Sequence, residues 1–393
     1  MAQPEKSIAA NHFVSGSDAP ELKEVKVGFI PLTDCASVVI ASLMKFDEKY
    51  GIKIIPCKQP SWAAVRDKVV SGELHAAQAL YGLVYGVHLG IGGLKKDMAV
   101  LMTINNNGQG ISLASQLKDK GVTDGPSLAK LIKSRDREYT FAHTFPTGTH
   151  AMWLYYWLAS YGIDPISEIM TITVPPAQMV MNARLGSMDG FCVGEPWNAR
   201  GIHDKVSFSV ASSQDIWPDH PEKVLGATAE FVEQNPNTAR ALVMAMLDAA
   251  KFIDTQGNRA KVAELIASPD YVDAPVDVIA GRFLGNYEDG LGKTWHDQHH
   301  IKFFNDGKAP FPYLSDGMWF LTQFKRWGLL KQDPDYLAVA RQINRIELYR
   351  QAAAQLNVAV PADVMRSSRL MDGTVWDGKD PMGYAARFDV YVG

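Results

Sequence analysis

Five residues lie where predicted helices and strands begin or end, and each offers a polar group that can bind a small molecule: Trp62, Gln109, His150, Gly194 and Lys223. His150 falls in the first turn of a predicted helix, where free backbone N–H groups and the helix dipole favour an anion. Gln109 lies in a turn-rich run, and Lys223 directly precedes a predicted strand. On residue type alone, Trp62 and His150 fit a core position equally well and Lys223 a solvated one, so their role stays open at this point.

Other chemistries find weaker support in the sequence. The glycine-rich run 89–93 lacks the strand–GxGxxG–helix context of a nucleotide site, and no Walker A sequence is present. His296, His299 and His300 lie on a polar stretch without a clear carboxylate pair, which favours a hydrogen-bonded cluster over a metal site. No Ser-His-Asp or Cys-His pattern indicates nucleophilic catalysis, although a triad formed only in space stays open. We therefore expect no enzyme activity, no metal and no cofactor.

Composition excludes several classes of protein. Hydrophobic residues make up 47% of the 393 residues and charged residues 21%, which is typical of a globular protein with two or three domains. The formal net charge of -4 argues against a dedicated nucleic-acid binder. No run reaches the roughly 18 apolar residues that span a bilayer. Cys35, Cys57 and Cys192 are far apart and odd in number, which argues against a disulfide framework and a thiolate zinc site.

The N-terminal residues bear on the compartment. Residues 1–24 lack the basic start and the roughly 7–15 apolar residues of a secretory signal. If Met1 is the native start, we expect a cytoplasmic protein; if a native leader was removed, we expect a periplasmic one. In either case residues 1–22 are expected to form a flexible segment.

The elements that must position the five residues follow an alternating order. A strand over 23–32 precedes a helix over 36–49, for which Thr33, Asp34 and Ser37 are capping candidates. A second strand at 52–56, a helix at 62–71 with Ser61 as N-cap, and a short strand at 72–77 complete a β-α-β-α-β unit. This is the unit of an open parallel sheet.

The same order recurs later in the chain. A strand at 140–143, a helix after Thr147-Gly148-Thr149, a strand at 170–174 and a helix opened by Pro175-Pro176 repeat the first unit, and Tyr161-Gly162-Ile163 matches Tyr50-Gly51-Ile52. The repeat predicts two α/β lobes, with ligands bound outside the carboxyl ends of the strands.

The predicted lobes divide the chain as follows. Residues 23–115 together with 232–393 form lobe I, whose C-terminal part is mainly helical, and residues 116–231 form lobe II. We expect the helical C-terminal part, over 238–252, 259–266, 318–330 and 336–356, to pack on lobe I.

Eight ordered segments carry a family resemblance: VKVGFIPLTD (25–34), KQPSWAAVRDKV (58–69), NNGQGIS (106–112), HTFPTGTHAMWLYYWLASYGIDP (143–165), PPAQMV (175–180), GSMDGFCVGEPW (186–197), DIWPDHPEKVLG (215–226) and SDGMWFLTQFKRWGL (315–329). Through them the chain resembles the substrate-binding proteins for nitrate and bicarbonate of ATP-driven transporters, from about Val25 to Leu370. The resemblance implies an α/β, two-lobed, periplasmic-binding-protein-like (type II) fold with a ligand cleft between the lobes and a helical C-terminal extension.

The resemblance also implies a ligand. In the nitrate branch of the family, the residues that hold the oxyanion fall here on Trp62, Gln109, His150, Gly194 and Lys223. Nitrate is a planar, weakly hydrated monoanion, so donors from several directions and a fixed cation suit it. The bicarbonate branch is expected to carry an acidic residue, with calcium nearby, near the position of Lys223. A lysine there favours nitrate or nitrite.

Two functions fit the resemblance. The missing leader makes the chain similar to the cytoplasmic nitrate/nitrite sensors of the NasS family. These hold an ANTAR-type, NasT-like RNA-binding antiterminator in an inactive complex and release it on anion binding, which controls nitrate-assimilation genes. In this reading the chain itself contacts neither nucleic acid nor membrane. The alternative is the extracytoplasmic nitrate-binding subunit of an ABC transporter with its leader removed. An enzyme on the same fold, such as a pyrimidine-precursor synthase of thiamine biosynthesis, would be expected to show a catalytic histidine or cysteine cluster.

Overall fold

The structure is a computed structural model that describes residues 18–390. Its strands are β1 (Glu24–Phe29), β2 (Lys53–Lys58), β3 (Ala76–Leu80), β4 (Met98–Thr103), β5 (Gln109–Ala114), β6 (Thr140–His143), β7 (Met170–Thr173), β8 (Gly190–Gly194), β9 (Ser207–Ser212), β10 (Lys223–Thr228), β11 (Asn286–Glu288), β12 (Thr294–His296), β13 (Ser368–Arg369) and β14 (Val375–Trp376). Its helices are α1 (Ala36–Leu43), α2 (Trp62–Ser71), α3 (Tyr81–Leu89), α4 (Gly125–Lys133), α5 (Thr149–Ser160), α6 (Met179–Arg184), α7 (Trp197–His203), α8 (Ser213–Ile216), α9 (Ala229–Gln234), α10 (Pro236–Asp254), α11 (Asn258–Ile266), α12 (Val276–Phe283), α13 (Leu314–Arg326), α14 (Tyr336–Ile343), α15 (Ile346–Gln355) and α16 (Pro381–Ala386). Within residues 18–390, no helix is both long enough and apolar enough to cross a bilayer.

Two five-stranded sheets form the centres of two lobes. The first sheet has the order β2-β1-β3-β10-β4 and the second the order β7-β6-β8-β5-β9. In the first sheet β1 pairs in parallel with β2 and β3, and β10 pairs antiparallel with β3 and β4. The second sheet repeats this pattern, with β6 parallel to β7 and β8 and with β5 antiparallel to β8 and β9. The predicted pair of α/β lobes is therefore confirmed.

The chain crosses between the lobes earlier than the predicted boundaries at 115/116 and 231/232. Strand β5 lies in the second sheet, although the prediction assigned it to lobe I, and β10 lies in the first sheet, although the prediction assigned it to lobe II. Each of these strands enters the middle of the opposite sheet, where every one of its residues is buried. A strand buried on both faces shows no alternation that reveals its partners, so the residues of β5 and β10 do not themselves indicate which sheet each strand joins.

Local signals explain where the elements near the site end. Ser61 is the N-cap of α2, as predicted, and its side chain accepts a hydrogen bond from the N–H of Ala64 at 3.2 Å. Helix α1 ends at Leu43, earlier than the predicted 49, because the backbone of Lys45 turns to a positive φ of 56°. None of its predicted capping residues forms a side-chain cap at its N-terminus.

The helical C-terminal part packs against both lobes, whereas the sequence predicted contact with lobe I. All residues of α13 are buried, so other elements must pack against more than one face of this helix. Phe320 stacks on Tyr81 of the first lobe with ring centroids 5.2 Å apart, and Trp319 lies 4.9 Å from Trp153 of the second lobe. Aromatic residues on two sides of one helix thus join the C-terminal part to both lobes.

A predicted helix over 336–356 is divided into α14 and α15. The division falls at Asn344, whose side chain accepts a hydrogen bond from the Tyr85 hydroxyl at 2.9 Å and donates to the Tyr81 oxygen at 2.8 Å. Because Asn344 is bonded into the first lobe, its backbone leaves the helical conformation (φ −81°, ψ 112°).

The predicted flexible segment 1–22 lies mostly outside the described residues, which begin at Asp18. Its described end is held against α10. The carboxylate of Glu21 accepts hydrogen bonds from the N–H groups of Asn237 and Thr238, at 3.1 and 2.7 Å, and the N–H of Leu22 donates to Thr238 Oγ1 at 3.0 Å. This glutamate satisfies N–H groups at the start of the helix.

Candidate functional site

The sheet edges facing each other across the lobes bring the candidate residues together. Asp34 follows β1, and Gln78 lies on β3, both at the carboxyl edge of the first sheet. Gln109 and Lys223 are the first residues of the antiparallel strands β5 and β10, which begin at the same edges, and Gly194 ends β8. This is the edge at which open α/β sheets bind ligands.

Lys223 lies at the centre of this edge and is completely buried. Its Nζ is 2.9 Å from Oδ2 of Asp34 and 2.9 Å from Oε1 of Glu222. The same ammonium lies 5.6 Å from the centroid of the Trp62 ring. The side chains of Lys223, Asp34 and Glu222 are 0%, 1% and 0% exposed, so the ion pairs are removed from solvent.

The second lobe contributes His150 and Gln109. Nε2 of His150 is hydrogen-bonded to Oε1 of Gln109, and its Nδ1 is 2.5 Å from the hydroxyl of Thr144. Because an amide oxygen only accepts, Nε2 carries the proton and Nδ1 accepts from Thr144. The amide nitrogen of Gln109 donates to Oδ2 of Asp34 at 3.4 Å, which links His150 to the ion pairs of the first lobe.

Gly194 stands opposite Gln109 in the pairing of β5 with β8. A Cβ atom at this position would lie 2.9 Å from Oε1 of Gln109 and 3.0 Å from Cδ2 of Leu32. Only glycine therefore fits beside the Gln109 amide without moving it.

The structure brings all five predicted site residues into one group. Gly194 pairs with Gln109 between β8 and β5, and the Gln109 side chain is hydrogen-bonded to His150. The Lys223 ammonium lies near the Trp62 ring. We call this group, together with Asp34 and Glu222, the Lys223 cluster. That these residues bind a ligand stays a prediction.

Trp62 carries an unused hydrogen-bond donor. Its side chain is completely buried at the start of α2, and its Nε1 has no hydrogen-bond partner among the described residues. A buried donor without a partner costs about 1–3 kcal/mol. An acceptor bound within the Lys223 cluster would satisfy it.

The sequence did not identify the two acidic members of the cluster. Asp34 was expected to cap α1, but its carboxylate accepts from Lys223, Gln109 and the Gln78 amide instead. Glu222 accepts from the Thr149 hydroxyl at 2.5 Å, from Trp153 Nε1 at 2.9 Å and from Lys223. The available signal was positional, since Asp34 lies two residues after the predicted strand 23–32 and Glu222 directly precedes Lys223.

Burial decides the charge of the ionisable groups around the cluster. It lowers the pKa of His143 to about 4 and that of His220 to about 3. The pKa of His150 is well below its usual value, because of burial and the nearby charge of Lys223. Burial alone would lower the pKa of Lys223, but Asp34 and Glu222 raise it above its usual value. The histidine of the cluster and the two histidines near it are thus neutral, and its lysine is charged.

Hydrogen bonds close the lobes over the cluster. The N–H of Thr33, after β1, donates to the carbonyl of Glu195, after β8, at 2.8 Å. Nε1 of Trp197 donates to the carbonyl of Pro31 at 2.9 Å. Pro31 and Trp197 also line a surface groove of about 290 Å³ whose walls come from both lobes. The cluster therefore lies inside a closed cleft.

The histidine run on the polar stretch is bonded locally. His296 Nδ1 is 3.2 Å from Asn286 Oδ1, His299 Nδ1 is 3.1 Å from Asp219 Oδ1, and His300 Nδ1 is 2.8 Å from the Asp297 carbonyl. Among residues 18–390, no group of three or more His, Cys, Asp or Glu side chains is arranged to hold a metal ion.

The sequence of the chain is similar to those of known binding proteins. The NMT1-like family model matches residues 18–267. The nitrate/nitrite binding protein NrtA of Synechocystis sp. is 37% identical over 390 residues, which cover 96% of this chain and 87% of that protein. The bicarbonate-binding protein CmpA of Synechococcus sp. is 30% identical over 395 residues, covering 94% of this chain and 87% of that protein.

A solved structure shares the whole architecture. The crystal structure of the periplasmic nitrate-binding protein NrtA from Synechocystis PCC 6803 superposes with a TM-score of 0.91 at 36% identity, over 94% of this chain and 99% of that one. The predicted two-lobed periplasmic-binding-protein fold is thus confirmed. The chain belongs to the NMT1-like family, among the substrate-binding proteins for nitrate and bicarbonate of ABC transporters.

Proposed function

We propose that the chain binds nitrate or nitrite in the Lys223 cluster and serves as the periplasmic binding subunit of an ATP-driven transporter. The observation that carries this proposal is a completely buried lysine among hydrogen-bond donors, at the closed edge between two lobes. The relatives described above are named as binding proteins, and we propose the same non-catalytic role for this chain.

The donors suit a small planar anion. Lys223 uses hydrogens on its two carboxylate partners, and an ammonium has three to donate. Trp62 adds an indole N–H without a partner. In the present arrangement the His150 Nε2–H donates to the Gln109 amide oxygen. Both side chains can turn away from each other and donate to a bound anion instead. Hydrogen bonds to a charged acceptor are stronger than neutral ones, so few are needed.

The sensor reading has less support. The relatives described above carry the names of binding proteins, and one of them is described as periplasmic. Control of a NasT-like antiterminator and a cytoplasmic location therefore stay predictions that no comparison favours. The sensor role predicts one distinct result: the ligand-free chain copurifies with an ANTAR-type protein and releases it when nitrate is added. A stable complex of that kind would overturn the transporter role while leaving anion binding intact.

Titration calorimetry with nitrate, nitrite, bicarbonate and chloride tests the ligand. We expect saturable binding of nitrate or nitrite at one site, and no binding of chloride at the same concentrations. Trp62→Phe removes the indole N–H and should weaken binding roughly 10- to 100-fold, as expected for a lost hydrogen bond to a charged group.

A matched control is Trp376→Phe. Trp376 is also buried, but its Nε1 donates to the carbonyl of Ser315 at 2.8 Å, a bond within the C-terminal part. This variant should lose stability and keep its affinity for the anion. Wild-type protein that binds neither nitrate nor nitrite would overturn the proposal.

A further inference from the structure

We propose that the anion enters the Lys223 cluster together with one proton, and that Asp34 takes this proton. The inference rests on the proposed function and adds a rule for the charge of the ligand. The site accepts singly charged oxyanions and rejects doubly charged ones. Asp34 is then the residue that determines specificity for charge.

The first step is the charge of the cluster before any ligand binds. Lys223 is the only cation in contact with Asp34 or Glu222 among the ion pairs of Lys and Arg in the described residues. With both carboxylates ionised, the three side chains carry a net charge of −1. A bound monoanion would change the net charge from −1 to −2, in a site whose side chains are 0–1% exposed. Like charges repel strongly where water cannot screen them.

The second step is that the surrounding groups supply no further positive charge. The elements packed around Asp34 present Gln78 from β3 and Gln109 from β5, neither of which titrates. His150 of α5 reaches Asp34 only through Gln109, and burial keeps its pKa well below the usual value. Cys35 follows Asp34 in the chain, and burial raises the pKa of its thiol.

The remaining charged neighbours do not change this count. His220 lies 3.6 Å from Glu222 but has a pKa of about 3, because it is buried. Lys58 influences Cys35, yet its ammonium is exposed and donates to the carbonyl of Pro269 at 2.9 Å. A proton from solvent is therefore the available source of compensating charge.

The third step distinguishes the two carboxylates. Glu222 accepts from Thr149, Trp153 and Lys223, at 2.5, 2.9 and 2.9 Å. An indole N–H and an ammonium can only donate, so a proton on Glu222 would compete with them. Asp34 also accepts from Lys223, at 2.9 Å, and from the Gln78 amide, but its third partner, the Gln109 amide, lies at the longer distance of 3.4 Å. That amide can turn its oxygen toward Asp34 once His150 donates to the anion.

Asp34 is also the group that burial favours as neutral. Burial raises its pKa, Lys223 opposes this effect, and the charge of Glu222 adds to the increase. A bound anion adds a second negative charge and must raise that pKa further.

The proton balance is simple. The proton leaves bulk solvent and forms an O–H bond on the Asp34 carboxylate, and no other bond is broken. The cluster with its monoanion then carries −1, the same charge as the empty cluster. A dianion such as sulfate would leave −2 after the same step, so we expect it to be excluded.

Calorimetry of wild-type protein in buffers of different ionisation enthalpy measures the proton directly. We expect nitrate binding to take up as much as one proton, across a series from about pH 5 to about pH 9. Between the pKa of Asp34 in the ligand-free protein and its higher pKa in the complex, the affinity should fall about tenfold per pH unit. Sulfate should neither bind nor compete. Nitrate binding without proton uptake at any pH of this series would overturn the inference, whereas absence of both nitrate and nitrite binding would overturn the proposed function itself.

Variants assign the proton to its residue. Asp34→Asn should lose the proton uptake and the pH dependence, so that it binds nitrate more tightly than wild-type protein at the alkaline end. The matched control is Asp47→Asn, which alters another buried carboxylate of the first lobe whose partners are the N–H groups of Glu48 and Ile54. Uptake that persists in Asp34→Asn would place the proton on another group and overturn the assignment.

A second measurement guards against a variant that fails to fold. Infrared difference spectra of wild-type protein, with nitrate minus without, should show a new C=O band of a protonated carboxyl group. The band should shift in heavy water. A spectrum without this band, recorded where calorimetry detects proton uptake, would exclude a carboxylate as the acceptor.

Discussion

Lys223 and Asp34 are joined by an ion pair of 2.9 Å, although 189 residues separate them in the chain. Asp34 follows the first strand of the first sheet, and Lys223 opens the strand by which the chain returns to that sheet. Closing the sheet therefore places the lysine beside the aspartate. Because both side chains are buried, removal of either partner would leave an uncompensated charge in the interior.

Lys223→Gln should destabilise the protein and abolish anion binding. Removing one partner of a buried ion pair typically costs about 3–5 kcal/mol, because Asp34 and Glu222 are left buried and unpaired. Urea unfolding without ligand measures the stability, and calorimetry measures the affinity for nitrate. Lys49→Gln is the control, since Lys49 pairs with Asp248 at a partly exposed position and should change stability by less than about 1 kcal/mol. Retained nitrate affinity in Lys223→Gln would remove the lysine from the binding site.

Gly194→Ala should weaken binding more than it weakens the fold. The new methyl group would lie within 2.9 Å of the Gln109 amide oxygen and 3.0 Å of Leu32, so the amide must move. Crowding of this kind costs about 1–3 kcal/mol. Gly281→Ala is the control, because the nearest atom to its Cβ is 3.6 Å away and the position is helical. The control should be neutral or slightly stabilising.

Thermal unfolding and nitrate titration of both glycine variants check this prediction. Equal affinities in the two variants would show that the Gln109 amide adjusts freely and that Gly194 does not limit the site.

The order of the elements was predictable, and the exchange of strands was not. The predicted strand at 140–143 coincides with β6, because short apolar runs bounded by turn residues are local signals. The third strand was predicted at 72–77 and is Ala76–Leu80, since the run before it forms turns. Strands β5 and β10 joined the opposite sheets without any local sign, because both of their faces are buried.

The grouping of the five candidate residues was predictable, and the charge around them was not. Trp62, Gln109, His150, Gly194 and Lys223 stand at element ends and match the family resemblance, and the fold brings them together. In the sequence, Asp34 was interpreted as a helix cap and Glu222 was assigned no role. Their pairing with one lysine depends on contacts between distant segments, which no local pattern encodes.

Trp197→Phe should weaken anion binding by loosening the closed cleft. Nε1 of Trp197 donates to the carbonyl of Pro31 across the two lobes at 2.9 Å. A hydrogen bond of this kind contributes about 0.5–1.5 kcal/mol, and its loss favours the open form. Under the proposed function the anion binds the closed form, so the affinity should fall roughly 2- to 12-fold. Trp376→Phe loses a similar bond within the C-terminal part and should keep its affinity.

Calorimetry and small-angle scattering of ligand-free Trp197→Phe check this prediction together. We expect a weaker affinity and a larger radius of gyration without nitrate, which returns to the wild-type value at saturation. An unchanged affinity would mean that the lobes close without help from this bond.

Acid should destabilise the protein through its buried histidines. His143 and His220 are neutral in the folded protein because burial lowers their pKa values to about 4 and about 3, whereas an unfolded histidine titrates near pH 6.5. The unfolded state therefore binds more protons as the pH falls below about 6.5, and stability falls with it. Each histidine lowers the free energy of unfolding by about 1.4 kcal/mol per pH unit as the pH falls, until its own folded pKa is passed. Above about pH 7 it has no effect on that free energy. Thermal unfolding of ligand-free protein from about pH 7 to about pH 4 measures this slope.

His143→Gln isolates one of these contributions. The side chain of His143 lies at the end of β6 against Tyr155, with ring centroids 6.1 Å apart, and its Nδ1 has no partner among residues 18–390. Glutamine does not titrate, so the variant should lose stability at pH 7 but show a shallower decline as the pH falls. His203→Gln, at a side chain that is 54% exposed, is the control and should keep the wild-type slope. An identical slope in His143→Gln would mean that His143 takes up its proton without unfolding, through an opening of the second lobe near β6.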